Sequence, residues 1–228
     1  MKDDNHNLSD AYFHTSFVFD SRRDVVWKEV CRFIQKKFIP ENCRILDIGA
    51  GYCNFINNIQ AKEKHAVDIF SRLPEYANKD VATHVHSCTN LDFFNNDSFD
   101  VIFASNLLEH LTREELLETL YELKRILREN GKLIILQANF KYCAKTYYDD
   151  YTHIQAFTER GLSEMLEAHG FHILEVKSRF LPVNMKTTLK FNLPKLNLIT
   201  RLYLHLPYKP LAAQMLIVTE KTANPHRN

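Results

Sequence analysis

Residues Arg44-Ile-Leu-Asp-Ile-Gly-Ala-Gly-Tyr-Cys-Asn-Phe-Ile56 decide the fold of this 228-residue chain, because an apolar run (Ile45, Leu46, Ile48) enters a turn containing two glycines. Glycine lacks a Cβ. Gly49 and Gly51 can therefore take positive φ and, with Ala50 between them, leave room for a ligand against the main chain. Asp68 comes about 20 residues after the turn, at the end of a second apolar run (His65 to Val67), where a carboxylate can accept hydrogen bonds from ribose hydroxyls. The pattern describes a nucleoside pocket. A tight strand-to-helix turn with no ligand is the competing reading.

A dinucleotide site would place a glycine three residues after Gly51, to seat pyrophosphate on a helix N-terminus, and this chain has Asn54 there. Asp47, two residues before Gly49, is unwelcome beside a diphosphate and suits a cationic ligand. At these residues the chain resembles the class I S-adenosylmethionine-dependent methyltransferases, whose first motif is an acidic residue, one spacer, then Gly-x-Gly-x-Gly. Cys53 stands at the third glycine position. A second match is Asp97-Ser-Phe-Asp-Val-Ile-Phe-Ala-Ser-Asn-Leu-Leu-Glu-His-Leu111, which is similar to the family's fourth motif. The resemblance covers nearly the whole chain. It implies an α/β fold, doubly wound, with a seven-stranded sheet that is mostly parallel with an antiparallel last strand and has helices on both faces.

Composition agrees with one soluble α/β domain over residues 1–228: 45% hydrophobic and 25% charged residues can fill and surround a single core. Within it, 1–40 forms an N-terminal cap and helix, 41–140 the cofactor-binding half, and 141–228 the acceptor-side half. The first twenty residues are polar and acidic with no apolar leader, and no run reaches the ~18 apolar residues of a membrane span, so a cytoplasmic location is expected. The five cysteines (Cys31, Cys43, Cys53, Cys88, Cys143) are scattered, with no Cys-x-x-Cys pair, and are read as reduced packing residues. Residues 176–219 contain no Asp or Glu but carry Lys177, Arg179, Lys186, Lys190, Lys195, Arg201 and Lys209, leaving 22 basic against 28 acidic residues elsewhere. Such a tail can attract an anionic acceptor or a membrane surface; a solvated rim is the plainer alternative.

Periodicity predicts a helix over Arg22 to Phe38, strands at Thr83–His86, Phe99–Ala104 and Lys132–Gln137, and a strand near Phe171–Val176. Thr112 and Glu115 form a capping box for a helix with Leu116, Leu117, Leu120, Leu123 and Leu127 on one face, stopped by Asn130-Gly131. Thr158 caps another, ending at Gly170. Between Pro194 and Pro207, Leu196, Ile199, Leu202, Tyr203 and Leu206 share a face expected to cover the sheet, with docking on a membrane as the alternative. The last strand is placed at Gln214–Glu220.

Ligands of open α/β sheets bind beyond the carboxyl ends of the strands, so the residues there are the candidates. The resemblance implies cofactor contacts from Asp47, Gly49, Ala50, Gly51, Asp68, Ile69, Ser87, Cys88, Asn106 and Leu107. Ser87 stands where the family usually has the acid that meets the adenine amino group. Past the fifth strand, Tyr147-Tyr-Asp-Asp-Tyr-Thr-His-Ile154 is expected to form the acceptor wall, with Tyr147 and Tyr148 stacking on a flat acceptor or sugar. Methyl transfer is an in-line displacement that needs an aligned lone pair and, for a hydroxyl, removal of its proton. His153 suits the base, since imidazole titrates near neutral pH, with Asp149 or Asp150 fixing its tautomer; a structural anchor is the alternative. His110 is a second candidate and more often a packing residue at this place. His84 and His86 have a metal-binding spacing but no evident third ligand, so no metal is expected.

The expected activity is S-adenosylmethionine-dependent methyl transfer to a hydroxyl or amine of a small-molecule, sugar or lipid-linked acceptor. The acceptor loop is similar to that of bacterial surface-sugar methyltransferases. A catalytically silent nucleoside-binding module of the same fold is the alternative. Nucleic acid is not the expected substrate, since no Asn/Asp-Pro-Pro-Tyr segment follows the fourth strand.

Overall fold

Strands β1 (Arg44–Ile48), β2 (Glu63–Asp68), β3 (Val81–Val85), β4 (Phe99–Ser105), β5 (Leu127–Ala138), β6 (Phe171–Pro182) and β7 (Ala212–Lys221) form one sheet in the order β3-β2-β1-β4-β5-β7-β6. The computed structural model describes residues 17–182 and 195–222. Neighbours from β3 to β5 are parallel, and β7 runs antiparallel to both β5 and β6. The strand order reverses between β1 and β4. That reversal opens a crevice at the carboxyl ends of these two strands.

Alternate side chains of each strand feed two cores, as the two-residue period of a strand requires. Ile45, Phe103, Ile134 and Leu216 face helix α1 (Arg22–Phe38), which contributes Val30 and Ile34. Leu46, Ile102, Ile135 and Ile217 face helices α3 (Arg113–Ile126) and α5 (Glu159–Ala168) through Leu120, Leu123, Leu162 and Leu166. The short helix α2 (Leu73–Tyr76) adds Leu73 to the first core. All five cysteines are reduced and buried. Thr112 caps α3 in a complete capping box, and Thr158 Oγ1 accepts the Gly161 N–H at the start of α5.

Several expectations are corrected. The third strand runs Val81–Val85, so His86 lies beyond it, its N–H bonded to Asp68 O. Asn130 does take a left-handed conformation (φ 59°), but inside β5 and not as a helix stop, since α3 already ends at Ile126 and Leu127 pairs with Phe99. The next pair is Val101 with Lys132, so β5 bulges over 128–131. Gly131 permits this fold-back, because a Cβ there would stand 2.8 Å from Arg128 O. Leu117 is exposed.

Helix α6 (Leu196–His205) lies chiefly against α1, and only part of the expected face turns inward: Leu196 and Tyr203 pack against the core beside the buried Thr200 and Leu204, while Ile199, Leu202 and Leu206 are exposed. An ion pair sits at this contact. Arg201 donates two hydrogen bonds to the buried Glu29 carboxylate of α1 (2.8 and 3.0 Å), which also takes Arg32 (2.6 Å), and the cations hold the Glu29 carboxyl below its usual range. Lys186, Lys190 and Pro194 lie outside the described residues.

Leu120 is fully buried between α3 and the sheet, so Leu120→Ala removes transfer energy and leaves a cavity. A loss of about 2–5 kcal/mol is expected. Urea unfolding of the two proteins measures it.

Candidate functional site

The crevice at the β1/β4 reversal is built on the glycine turn. Gly49 (φ 65°), Gly51 (φ 50°) and Cys53 (φ 57°) all adopt left-handed backbone, which explains the spacing of the motif; Cys53 takes the same conformation with a side chain, at a cost of about 1–2 kcal/mol. A Cβ on Gly49 would press on Leu107 at 3.0 to 3.2 Å. The turn is stitched to the end of β2: Gly49 and Ala50 donate to Val67 O, and Gly51 N–H donates to Asp68 Oδ2 (2.8 Å). Phe70 N–H donates to Asp68 Oδ1 (2.9 Å). Only a single 3-10 turn, Ile56–Asn58, follows where a helix would stand in a dinucleotide fold. Asn57 and Asn58 consume this segment's polar capacity by bonding Tyr76 O, the Asn78 N–H, Asn54 O and Asp24. With no helix N-terminus present, the pocket lacks the device that stabilises phosphate.

Asp47 and Asp68 are both buried here, and burial pushes both carboxyls up, Asp47 strongly. Backbone donors oppose that shift: Ile56 for Asp47, and Gly51, Phe70 and Ile69 for Asp68. Asp47 therefore shapes the turn from beneath. Ile69 is exposed directly after Asp68, an apolar surface for a flat base. Cys88 is buried beside Thr119, while the Ser87 hydroxyl bonds Thr89 Oγ1 (2.8 Å) and accepts the Thr89 N–H. A cradle without Cβ atoms and two buried acids fit S-adenosylmethionine, which brings a nucleoside, a sulfonium and an ammonium group.

Asn106, just past β4, is in left-handed backbone (φ 47°), its N–H on Leu136 O and its Oδ1 accepting Gln214 Nε2 (3.3 Å). Asn106 and Leu107 thus lie at the strand end that faces the turn. Glu109 follows, buried, and its backbone oxygen accepts the N–H groups of Ile154 and Gln155. That pair of bonds draws the loop after β5 onto the loop after β4.

The histidines meet at this junction. His110 Nδ1 lies 2.9 Å from Thr152 Oγ1 and 3.2 Å from Thr152 O; the carbonyl can only accept, so Nδ1 carries the proton. Thr152 in turn donates to Asp150 Oδ1 (2.6 Å). His153 Nδ1 donates to Tyr147 O at 2.6 Å, which places the ring's acceptor at Nε2, and Asp150 Oδ2 stands 3.7 Å from that nitrogen. The backbone of Tyr147, and not Asp149 or Asp150, sets the tautomer. The two imidazole centroids are 4.9 Å apart. Tyr147 is buried, with its hydroxyl on Gln155 O and its ring against Phe140, Tyr148 and His153, so it supports His153 and is not an open stacking surface. Tyr148, Tyr151 and Ile154 are exposed.

Sequence reasoning passed over three features. Glu109, His110 and His153 bring ligand-type atoms within 4.8 Å of one another, a set able to hold a divalent cation. Thr152 links His110 to Asp150. Gln137, fully buried near the end of β5, has no hydrogen-bond partner for either amide atom among the described residues. The first two have no periodic signal, because each depends on loops far apart in sequence. His84, by contrast, stacks on Phe93 and contacts His65 Nδ1 (3.2 Å).

A family model described as a methyltransferase domain matches residues 19–176. Phosphoethanolamine N-methyltransferase of Plasmodium falciparum is 25% identical over 182 residues, 67% of this chain and 67% of that protein. A chain of the complex between the Haloferax volcanii Trm112 methyltransferase activator and a methyltransferase superposes with a TM-score of 0.67 at 14% identity, covering 90% of this chain and 92% of that one. A SAM-dependent methyltransferase from Archaeoglobus fulgidus gives 0.60 at 20% identity, covering 85% and 94%.

If Asp68 receives ribose hydroxyls, Asp68→Ala loses charge-assisted hydrogen bonds of about 1.5–3 kcal/mol, and S-adenosylhomocysteine should bind at least about tenfold more weakly. Unchanged calorimetric affinity in the folded variant refutes that role. The raised Asp68 pKa adds a pH signature. Hydroxyl donors favour the ionised carboxylate, so binding should release protons above the ordinary carboxylate range and strengthen as pH rises through that window. Calorimetry in two buffers of different ionisation enthalpy measures this release.

Proposed function

The chain belongs to the methyltransferase domain family and uses S-adenosylmethionine, and from that premise we propose that it methylates a hydroxyl or amine of a small-molecule, sugar or lipid-linked acceptor. When bound, the cofactor supplies an electrophilic methyl group on a sulfonium. Asp68, the 49–51 backbone and Ile69 would hold its nucleoside, Ser87 and Cys88 would border the base, and Asn106 with Leu107 would flank the methionine part.

One observation carries the acceptor side: His110, Thr152, Asp150 and His153 form a connected group at the carboxyl edge of β4 and β5, beside the cofactor turn. In this reading His153 Nε2 receives the acceptor's proton while its Nδ1–H stays on Tyr147 O. Asp150 then faces the imidazolium, as an anion that offsets the new charge. His110 orients Thr152 and, through it, Asp150. For an amine acceptor that is already neutral, the same loop works by alignment alone. The similarity to a phosphoethanolamine N-methyltransferase supports a small amine or hydroxyl compound bearing negative charge as one acceptor class. The basic residues of 176–219 suit such an acceptor.

The test is transfer of labelled methyl from S-adenosylmethionine to a panel holding phosphoethanolamine, free sugars and lipid-linked sugars. Labelling of one class supports the reading; S-adenosylhomocysteine binding without transfer to any of them counts against it. On the responsive acceptor, His153→Ala should lower kcat by at least about 10²-fold with cofactor affinity kept within a few fold. His110→Ala should lose less. Wild-type kcat in His153→Ala makes that residue a loop anchor.

A further inference from the structure

Helix α6 is apolar on two sides. Leu196, Thr200, Tyr203 and Leu204 turn toward α1 and its core, whereas Leu198, Ile199, Leu202 and Leu206 fall within an arc of about 100° on the other side, at 100° per residue, and are 41–60% exposed. A surface helix normally carries polar groups opposite its packed face. The stripe continues through Tyr208 and Leu211, of which Leu211 is 84% exposed and held in left-handed backbone (φ 59°). Left-handed backbone is unfavourable for leucine and exposure is unfavourable for its side chain, so nothing in the packing of the described residues accounts for this placement.

The charge around the stripe has one sign. No Asp or Glu occurs between residues 176 and 219, and on α1 and β6 Glu29 is paired with Arg32 and Arg201 and Glu175 with Lys37 and Lys177. Among the described residues Arg179, Lys195 and Lys209 form no ion pair. The Arg179 guanidinium instead lies over the rings of Tyr208 (5.4 Å) and Tyr142 (5.0 Å). Tyr142 belongs to helix α4 (Phe140–Cys143), directly after β5, and Ala212 begins β7 beside Pro182. Through Arg179, the turn that carries Tyr208 therefore meets the helix that opens the acceptor loop, at the carboxyl end of β5.

We propose that α6 and the turn at 206–211 dock on an anionic lipid bilayer, with the leucines and Ile199 entering the headgroup boundary and Lys195, Lys209 and Arg179 meeting lipid phosphates. Such binding combines apolar area with attraction to anionic lipid, and neither alone is enough for a short helix. Docking in this orientation brings the 139–154 loop to the membrane, where a lipid-borne acceptor is reached without leaving the bilayer. No helix among the described residues is long and apolar enough to cross it. The contact is peripheral, and it does not depend on how the methyl group is transferred.

The experiment uses the full chain with vesicles of phosphatidylcholine alone and of phosphatidylcholine with about one-third phosphatidylglycerol. Co-sedimentation should be at least about tenfold stronger with the anionic vesicles and should weaken with added salt. Ile199→Asp combined with Leu202→Asp should abolish it while leaving S-adenosylhomocysteine affinity intact, which reports a folded protein because both residues are exposed. Three outcomes overturn the proposal: no binding of the unaltered chain to anionic vesicles, equal binding by the double variant, or a dimer in analytical ultracentrifugation that the double variant dissolves, which would make a second copy the occupant. Loss of cofactor binding in the unaltered chain would overturn the methyl-transfer reading instead.

Discussion

The bond from Gly51 N–H to Asp68 Oδ2 is the constraint from which the rest of the site follows. It fixes the glycine turn to the end of β2 and, with the Phe70 N–H, holds a buried carboxylate in place at the crevice. A buried acid is costly unless bonded, and burial does push the Asp68 carboxyl up. Backbone donors reduce that cost, and a ligand offering hydroxyls and positive charge reduces it further. The same turn explains the motif's glycines. Three residues at alternate positions are left-handed, and only glycine takes that conformation without strain.

The acceptor side rests on a different device, the pairing of two loops. Glu109 O takes the N–H groups of Ile154 and Gln155, and this joins the ends of β4 and β5 so that His110 and His153 face each other. Both rings donate Nδ1–H toward backbone oxygens. Backbone acceptors are set by the fold and do not titrate, so the tautomers are built in before any ligand arrives. Tyr147 is spent on this support, buried beneath His153, which leaves Tyr148 and Tyr151 as the loop's exposed aromatic rings.

Helix α6 joins the cofactor half to the surface. At its contact with α1, Arg201 reaches the buried carboxylate of Glu29, and Ile199, Leu202 and Leu206, which periodicity placed inward, stand at the solvent. Desolvating Glu29 without its two arginines would be costly. An apolar face left outside beside such a pair calls for an external partner.

Local patterns in the sequence were sufficient wherever one segment carries the whole signal. Helix α1 matches its expected limits, both threonine caps form, the glycine turn and Asp68 meet, and the last strand pairs antiparallel. These features depend on backbone conformation and on residues a few positions apart, which composition and period encode directly. The tertiary structure alone decided the bulge at Asn130, the contact of α6 with α1, the tautomer of His153 and the meeting of Glu109, His110 and His153. Each depends on groups distant in sequence, Arg201 and Glu29 or Glu109 and Ile154, whose pairing has no period. Which residue a leucine, a carbonyl or an imidazole meets is settled only when the chain has closed its sheet.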